Sequence, residues 1–231
     1  MAEVSLEILY EDNHLIAVNK SPGEIVQGDK TGDEPLCEKV KSWIKEKYSK
    51  PGAVFLGVIH RLDRPVSGIV IFAKTSKGLA RMNEQFRNRE VSKTYWAVVS
   101  PPPEKTESVL IHYLIKNEST NKSKAHIKEV NGSSKSELHY KVMGTSDRYT
   151  LLEVNPVTGR HHQIRAQLAA IGCSIKGDLK YGSPRSNRDA SIHLHARKLT
   201  FNHPVSGEPV VITATPPSDP VWNYFSSLLT A

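Results

Sequence analysis

The stretch from His60 to Thr75, HRLDRPVSGIVIFAKT, sets an aspartate between two arginines just ahead of an apolar run. A carboxylate held at the mouth of a buried element can act as a nucleophile or as a general base. In extended backbone, residues two apart share a face, so Arg61 and Asp63 point one way and His60 and Leu62 the other. Pro65 and Gly68 shape the turn that follows. The competing reading is a surface turn whose local ion pair is worth at most about 1 kcal/mol. A second arginine-bearing segment speaks against it: NPVTGRHHQIRAQLAAIGCSIKGDLKYG, from Asn155 to Gly182. There a helix is expected to start at Thr158 and Gly159, so that backbone N–H groups and Arg160 form a positive end suited to phosphate. Arg165 falls beside the Ile164/Leu168 stripe, at the border of the buried face. An arginine there calls for a carboxylate partner, with Asp63 as a candidate, or for a bound phosphate.

Two other chemistries have weaker support. His161 and His162 are adjacent, and His193 and His195 share one strand face, as metal ligands sometimes do. No H-E-x-x-H pattern or Asp/His cluster with ligand spacing accompanies them, so core or RNA-facing histidines and no metal are expected. A hydrolase built on Ser67 or Ser183 would lack the G-x-S-x-G elbow.

The elements that must position these residues follow from periodicity. LEILY and LIAVN, separated by Glu11 to His14, predict a hairpin. Leu36, Val40, Trp43 and Ile44 repeat at helical spacing up to about Tyr48, and Ile69 to Ala73 reads as a short buried strand. Ser76 is placed to cap a helix with Leu79, Met82 and Phe86 on its apolar face. TYWAVV is a strand ended by the triple proline 101–103. From Ser108 to Val154 the pattern is strand-rich, broken by the polar segments KNESTNKSK and VNGSSKS. The third helix contains Ile164, Leu168 and Ile171 and stops at Gly172. IHLHARKLTF and PVVITAT are two late strands, and DPVWNYFSSLL is a closing helix. Trp43, Phe86 and Trp222 are assigned to the core. Many strands with a few interspersed helices, and no βαβ alternation, make the class α+β.

At 231 residues, with 38% hydrophobic and 24% charged residues, the chain can bury a substantial core. A formal net charge of +7 leans toward an anionic partner without identifying one. Cys37 and Cys173 stand alone, which suits a reducing compartment. The opening MAEVSLEILYEDNH has acids where a secretory leader would be basic and apolar, and no apolar run approaches the roughly 20 residues of a membrane span. A soluble, cytoplasmic protein is the expectation.

HRLDRPVSG resembles the catalytic motif of the RluA-type RNA pseudouridine synthases, H-R-L-D-x-x-T-S-G. YEDNHLIAVNKSPG is similar to that family's opening segment and SKTYWAVV to its K-x-Y strand. TGRHHQIRAQLAAIGCSIKGDLKYG and LHARKLTFNHP are similar to its third and closing motifs, so the likeness runs from Tyr10 to Pro204. Two departures are visible: Val66 stands where threonine is common, and Ser21-Pro22 replaces a Pro-x order after Lys20. The resemblance implies a pseudouridine synthase fold, with a mixed, largely antiparallel sheet, a central RNA-binding cleft, and helices and loops around it. Many members of that family carry an extra N-terminal S4-type domain; because the opening segment comes almost at once, one catalytic domain over 1–231 without it is expected, and a monomer is assumed.

The reaction implied is conversion of uridine to pseudouridine within a tRNA or rRNA stem-loop, a chemistry that requires no metal, nucleotide or redox cofactor. Asp63 matches the catalytic aspartate, Tyr95 the tyrosine that packs on the target base, and Arg165 the arginine that pairs with the aspartate. Arg61 matches the arginine that enters the RNA helix where the base has left. His60, Arg160, Gln163 and Lys20 complete the expected RNA-binding set. The rival is an RNA-binding module of the same fold that lacks activity, which would predict a broken motif. The lysine-bearing segment from Lys116 to Lys135 is expected to be a pair of solvated loops, or to ride on the RNA backbone through Lys122 and Lys124.

Overall fold

The computed structural model describes residues 6–230, so the ends of the expected 1–231 domain, residues 1–5 and 231, lie outside the described residues. The predicted hairpin is present as β1 (Ile8–Glu11) and β2 (Leu15–Lys20). Asp12 shapes its turn: one carboxylate oxygen accepts the backbone N–H groups of His14 and Leu15, each at 2.7 Å. Helix α1 (Leu36–Lys47) buries Leu36, Val40 and Ile44. Its Trp43 is half-buried rather than core, with the Lys47 ammonium 4.5 Å from the ring centroid. After β3 (Gly57–Val58), every residue of β4 (Ser67–Ala73) is buried. Helix α2 (Ser76–Asn88) is capped one residue earlier than expected, by Thr75, whose Oγ1 accepts the Gly78 N–H at 3.1 Å.

The strand-rich middle comprises β5 (Ser92–Ser100), β6 (Glu107–Asn117), β7 (Lys122–His126), β8 (Ser134–Thr145) and β9 (Thr150–Pro156). Half of the polar KNESTNKSK segment is therefore strand, not loop. Strand alternation buries Ser123 and exposes Lys122 and Lys124 on one face. Next come α3 (Gln163–Ala170), β10 (Ser174–Ile175), a single 3₁₀ turn (Leu179–Tyr181), β11 (Leu194–Asn202), β12 (Pro209–Thr213) and α4 (Pro220–Thr230). Gly172, at φ 79°, follows α3 as predicted.

Contacts divide the chain into two compact units. In the first, Met1–Ser92 and Ala196–Thr215, the pairings β1–β2, β2–β4, β3–β4 and β11–β12 are antiparallel, and β4 neighbours β11. One face of its strands gathers Leu15, Ala17, Ile69, Ile71, Leu199 and Phe201 with Met82 of α2. The opposite-facing Ile16, Val18, Val70 and Phe72 are equally buried, which is why this part of the sequence reads as continuous apolar runs.

The second unit, Lys93–His195 and Pro216–Ala231, is an antiparallel sheet in the order β5-β9-β8-β6-β7, with β10 on β5. Helix α3 lies against β6, β7 and β10. Helix α4 is capped by Asp219, whose carboxylate accepts the N–H groups of Val221 and Trp222 at 2.8 and 3.0 Å. Its Trp222 and Phe225 pack against Trp96, Val98 and Leu151, each such large side chain contributing about 2–3 kcal/mol by burial. Among the described residues no helix is long and apolar enough to cross a membrane.

Candidate active site

The expected residues divide between the units: Lys20, His60, Arg61 and Asp63 in the first, Tyr95, Arg160, Gln163 and Arg165 in the second. In the first unit, Asp63 sits on the loop between β3 and β4, and its carbonyl accepts the Val66 N–H at 3.0 Å to close a turn. Leu62 and Val66 are buried, while Arg61 is exposed and Asp63 half-buried, so the alternation read from sequence is the one adopted. Val66 fills an apolar position, which accounts for a valine in place of threonine. Gly68 ends the loop at φ 113°, and a Cβ there would overlap the main chain of Ala196. Glycine is obligatory at that point.

What holds this loop is Lys20. Its side chain is 1% exposed and its ammonium donates to the carbonyls of Ser21, at 2.8 Å, and Arg64, at 3.2 Å. The Arg64 carbonyl also accepts the Gly23 N–H at 2.8 Å. The NKSPG and HRLDRPVSG segments are thus fastened through one carbonyl next door to Asp63. Burial pushes the Lys20 ammonium down to about 8, against the charges of Glu24 and Asp63, which favour its protonated form. Lys20, expected to contact RNA, is here enclosed, and its ammonium anchors the loop. His60 is likewise turned inward: its Nε2 accepts the Ile71 N–H at 3.2 Å and its ring stacks on Phe86 at 5.2 Å. The side chain of Arg64 pairs with Asp33 at 2.6 Å on the surface.

In the second unit, Tyr95 lies on β5 opposite Val154 of β9. Its neighbours Thr94 and Trp96 are buried, and Tyr95 itself is half-buried. Thr94 donates to Asn155 at 2.8 Å, tying the strand to the start of the 155–182 segment.

The helix in that segment begins at Gln163, not at Thr158. Its cap, His162, takes a left-handed φ of 51°, which breaks the helix from the preceding turn. Thr158 Oγ1 accepts the Glu137 N–H at 2.9 Å and donates to Gln163 Oε1 at 2.7 Å. The same Oε1 accepts the Arg160 N–H at 3.0 Å, and Gln163 Nε2 donates to the Glu137 carbonyl at 3.0 Å. Gln163, expected to bind RNA, is 4% exposed, with its side-chain amide bonded within this loop. The Arg160 N–H expected for a phosphate is taken by Gln163, while the Arg160 side chain is exposed.

Arg165 is buried, and within its own unit it forks onto Asp178, with Nε–Oδ2 at 2.7 Å and Nη2–Oδ1 at 2.9 Å. The Tyr181 ring lies 5.0 Å from the guanidinium carbon. Sequence reading missed Asp178, though a signal was available. A buried arginine needs a carboxylate, and Asp178 is the sole acid between Asn155 and Gly182. His193 and His195, the candidate metal pair, are buried against Trp222, with ring centroids at 5.1 and 6.1 Å. Among the described residues no group of three His, Cys, Asp or Glu side chains could hold a metal ion.

The model of the RNA pseudouridylate synthase family matches residues 14–170, which include the Asp63 loop, Tyr95 and Arg165. The chain belongs to that family. It is 34% identical over 221 residues to ribosomal large subunit pseudouridine synthase C of Vibrio vulnificus, covering 93% of this chain and 67% of that one. It is 31% identical over 227 residues to tRNA pseudouridine synthase C of Pectobacterium carotovorum subsp. carotovorum, covering 90% of this chain and 58% of the relative. The chain thus spans roughly three-fifths to two-thirds of these relatives' length. Human RNA Pseudouridylate Synthase Domain Containing 4 superposes with a TM-score of 0.79 at 22% identity, over 97% of this chain and 93% of that one. The α+β, largely antiparallel architecture is shared with this structural neighbour.

Proposed function

We propose that this chain isomerises uridine to pseudouridine in a structured tRNA or rRNA, as a cytoplasmic monomer. Asp63 is its catalytic carboxylate, Tyr95 packs on the target base, Arg165 serves the reaction, and Arg61 fills the gap the base leaves. The observation that carries the reading is the fastened Asp63 loop. Leu62 and Val66 anchor it from within, Lys20 and Gly23 hold the adjacent carbonyl, Arg61 is exposed and Asp63 is half-buried beside it. That is a carboxylate held in place next to an exposed cation, which is what recognition of a flipped nucleotide requires.

The target uridine leaves its stack at a cost of a few kcal/mol. Stacking on Tyr95 returns roughly 1–3 kcal/mol, so Arg61 and phosphate contacts from Arg160 supply the margin. The bond from N1 to C1′ breaks, the base turns while bound, and C5 joins C1′. The proton on C5 is lost and N1 ends protonated, so the product is an isomer and no atom is gained. Asp63 acts in this sequence as nucleophile or base.

The test is tritium release from RNA labelled at uridine C5, taken from cells lacking this protein, with wild type compared against Asp63→Ala. Release by wild type alone supports the isomerase, and sequencing the product locates the uridine. RNA binding without release from any pool would sink the catalytic reading and leave a binding module.

A further inference from the structure

Arg165 is held from two directions by residues outside the expected site. Asp178 takes Nε–H and one Nη2–H in a two-point fork, which fixes the plane of the guanidinium. Tyr181 lies 5.0 Å from the guanidinium carbon, within range of a cation–π contact that strengthens as water is excluded. Both partners are enclosed, Asp178 at 1% and Tyr181 at 5% exposure. Tyr181 is itself immobilised, because its hydroxyl accepts the Ser123 N–H at 2.8 Å and meets His162 Nδ1 at 2.9 Å. Asp178 immediately precedes the 3₁₀ turn that carries Tyr181, so one short segment delivers both groups.

We propose that Asp178 and Tyr181 are positioning residues for Arg165: they fix the direction in which its remaining donors are offered during the reaction. This rests on the reading that Arg165 serves catalysis. A guanidinium on a flexible stem has many rotamers, and fixing its plane in advance removes that ordering cost from the reaction. The isolated alternative, a buried ion pair that merely stabilises the fold, would give no reason for a stacked ring as well as a fork.

The ring and hydroxyl of Tyr181 can be tested apart. Tyr181→Phe keeps the ring and drops the bonds to Ser123 and His162, whereas Tyr181→Leu drops both. Single-turnover tritium release at saturating enzyme and RNA affinity by filter binding are measured for each, with urea unfolding as the check on folding. Tyr181→Leu is expected to slow turnover roughly 10-fold with affinity changed by less than about 2-fold, and Tyr181→Phe to stay within about 3-fold of wild type. Asp178→Asn, which places an NH₂ against Nη2, is expected to slow turnover about 100-fold if it folds.

In an Arg165→Lys background, Tyr181→Leu should cost less than about 2-fold, because the group it orients is gone. That comparison also separates Arg165 from Lys122, whose ammonium lies 5.1 Å from the same ring. Equal losses from Tyr181→Phe and Tyr181→Leu, or equal losses in both backgrounds, would overturn the positioning role. Wild-type turnover by Arg165→Lys would instead overturn the reading of Arg165 on which it rests.

Discussion

Replacing Lys20 by methionine separates the electrostatic cost of this residue from its anchoring role. Methionine has a similar length and no charge. In the folded protein the ammonium titrates at about 8, against its ordinary 10.5, because burial outweighs the attraction of Glu24 and Asp63. Each tenfold change in proton affinity is about 1.4 kcal/mol, so the charged form is disfavoured by about 3 kcal/mol relative to the unfolded chain. The unfolded chain binds more protons between pH 8 and 10.5, so stability rises with pH through that window and is lower below it. Wild type should gain about 2–3 kcal/mol between pH 7 and 10 that Lys20→Met does not.

The measurement is urea unfolding of both proteins across that range, and groups such as Tyr10 cancel in the difference. A stability difference independent of pH would refute the argument that Lys20 is buried as a charge. At pH 7 the two effects of substitution oppose: the buried charge is relieved, and the Ser21 carbonyl loses its bond to the ammonium. Tritium release should nevertheless fall about tenfold, because the Asp63 loop keeps one tether of two.

Gly68→Ala should destabilise by about 3 kcal/mol or more in urea titrations, since a left-handed φ and an overlap with main chain cannot both be relieved by side-chain motion. Replacing Lys122 and Lys124 by alanine should lower the salt dependence of RNA affinity by about 1 to 2 in log–log slope and leave the modified site unchanged; an unaltered slope would remove this face from the RNA path. His193 titrates at about 4 in the fold, lowered by burial and then by Lys176 against the pull of Asp219 and Asp189. The unfolded chain therefore binds the extra proton between pH 6.5 and 4, and stability should drop as pH falls through that window. His193→Gln should flatten that part of the acid unfolding curve, and a parallel curve would show that His193 is not its source.

The hairpin, the buried strand and the capped helix of the first unit were legible because each rests on local pattern: period two, period 3.6, or an oxygen ahead of a helix. Alternation around Asp63 was legible for the same reason. Less visible were polar groups used against backbone. Lys20 and Gln163 have side chains that ordinarily face solvent, and only the fold shows them enclosed and bonded to carbonyls far along the chain, those of Arg64 and Glu137. The late start of α3 has that cause too, since Thr158 Oγ1 bonds to Glu137 of a neighbouring strand and to the Gln163 side chain instead of accepting a backbone N–H of the helix. Lys122 and Lys124 were read as loop because their segment is polar, yet a hairpin with one exposed face is expected to be polar there.

The fastening beside Asp63 is written almost wholly in main-chain atoms: the carbonyls of Ser21 and Arg64, the N–H of Gly23, and one ammonium. A joint of that kind is indifferent to the side chains at positions 21 and 22. The swapped Ser21-Pro22 order therefore leaves it whole, because proline at 22 gives up an N–H that the joint never employs. Gly23 has no neighbour within 4 Å of where a Cβ would sit, so the demands made there are its φ of 88° and its N–H. Someone shuffling loops between members of this family could vary the side chains at 21 and 22, provided the N–H of residue 21, Lys20, and an N–H-bearing residue tolerant of that φ at 23 remain.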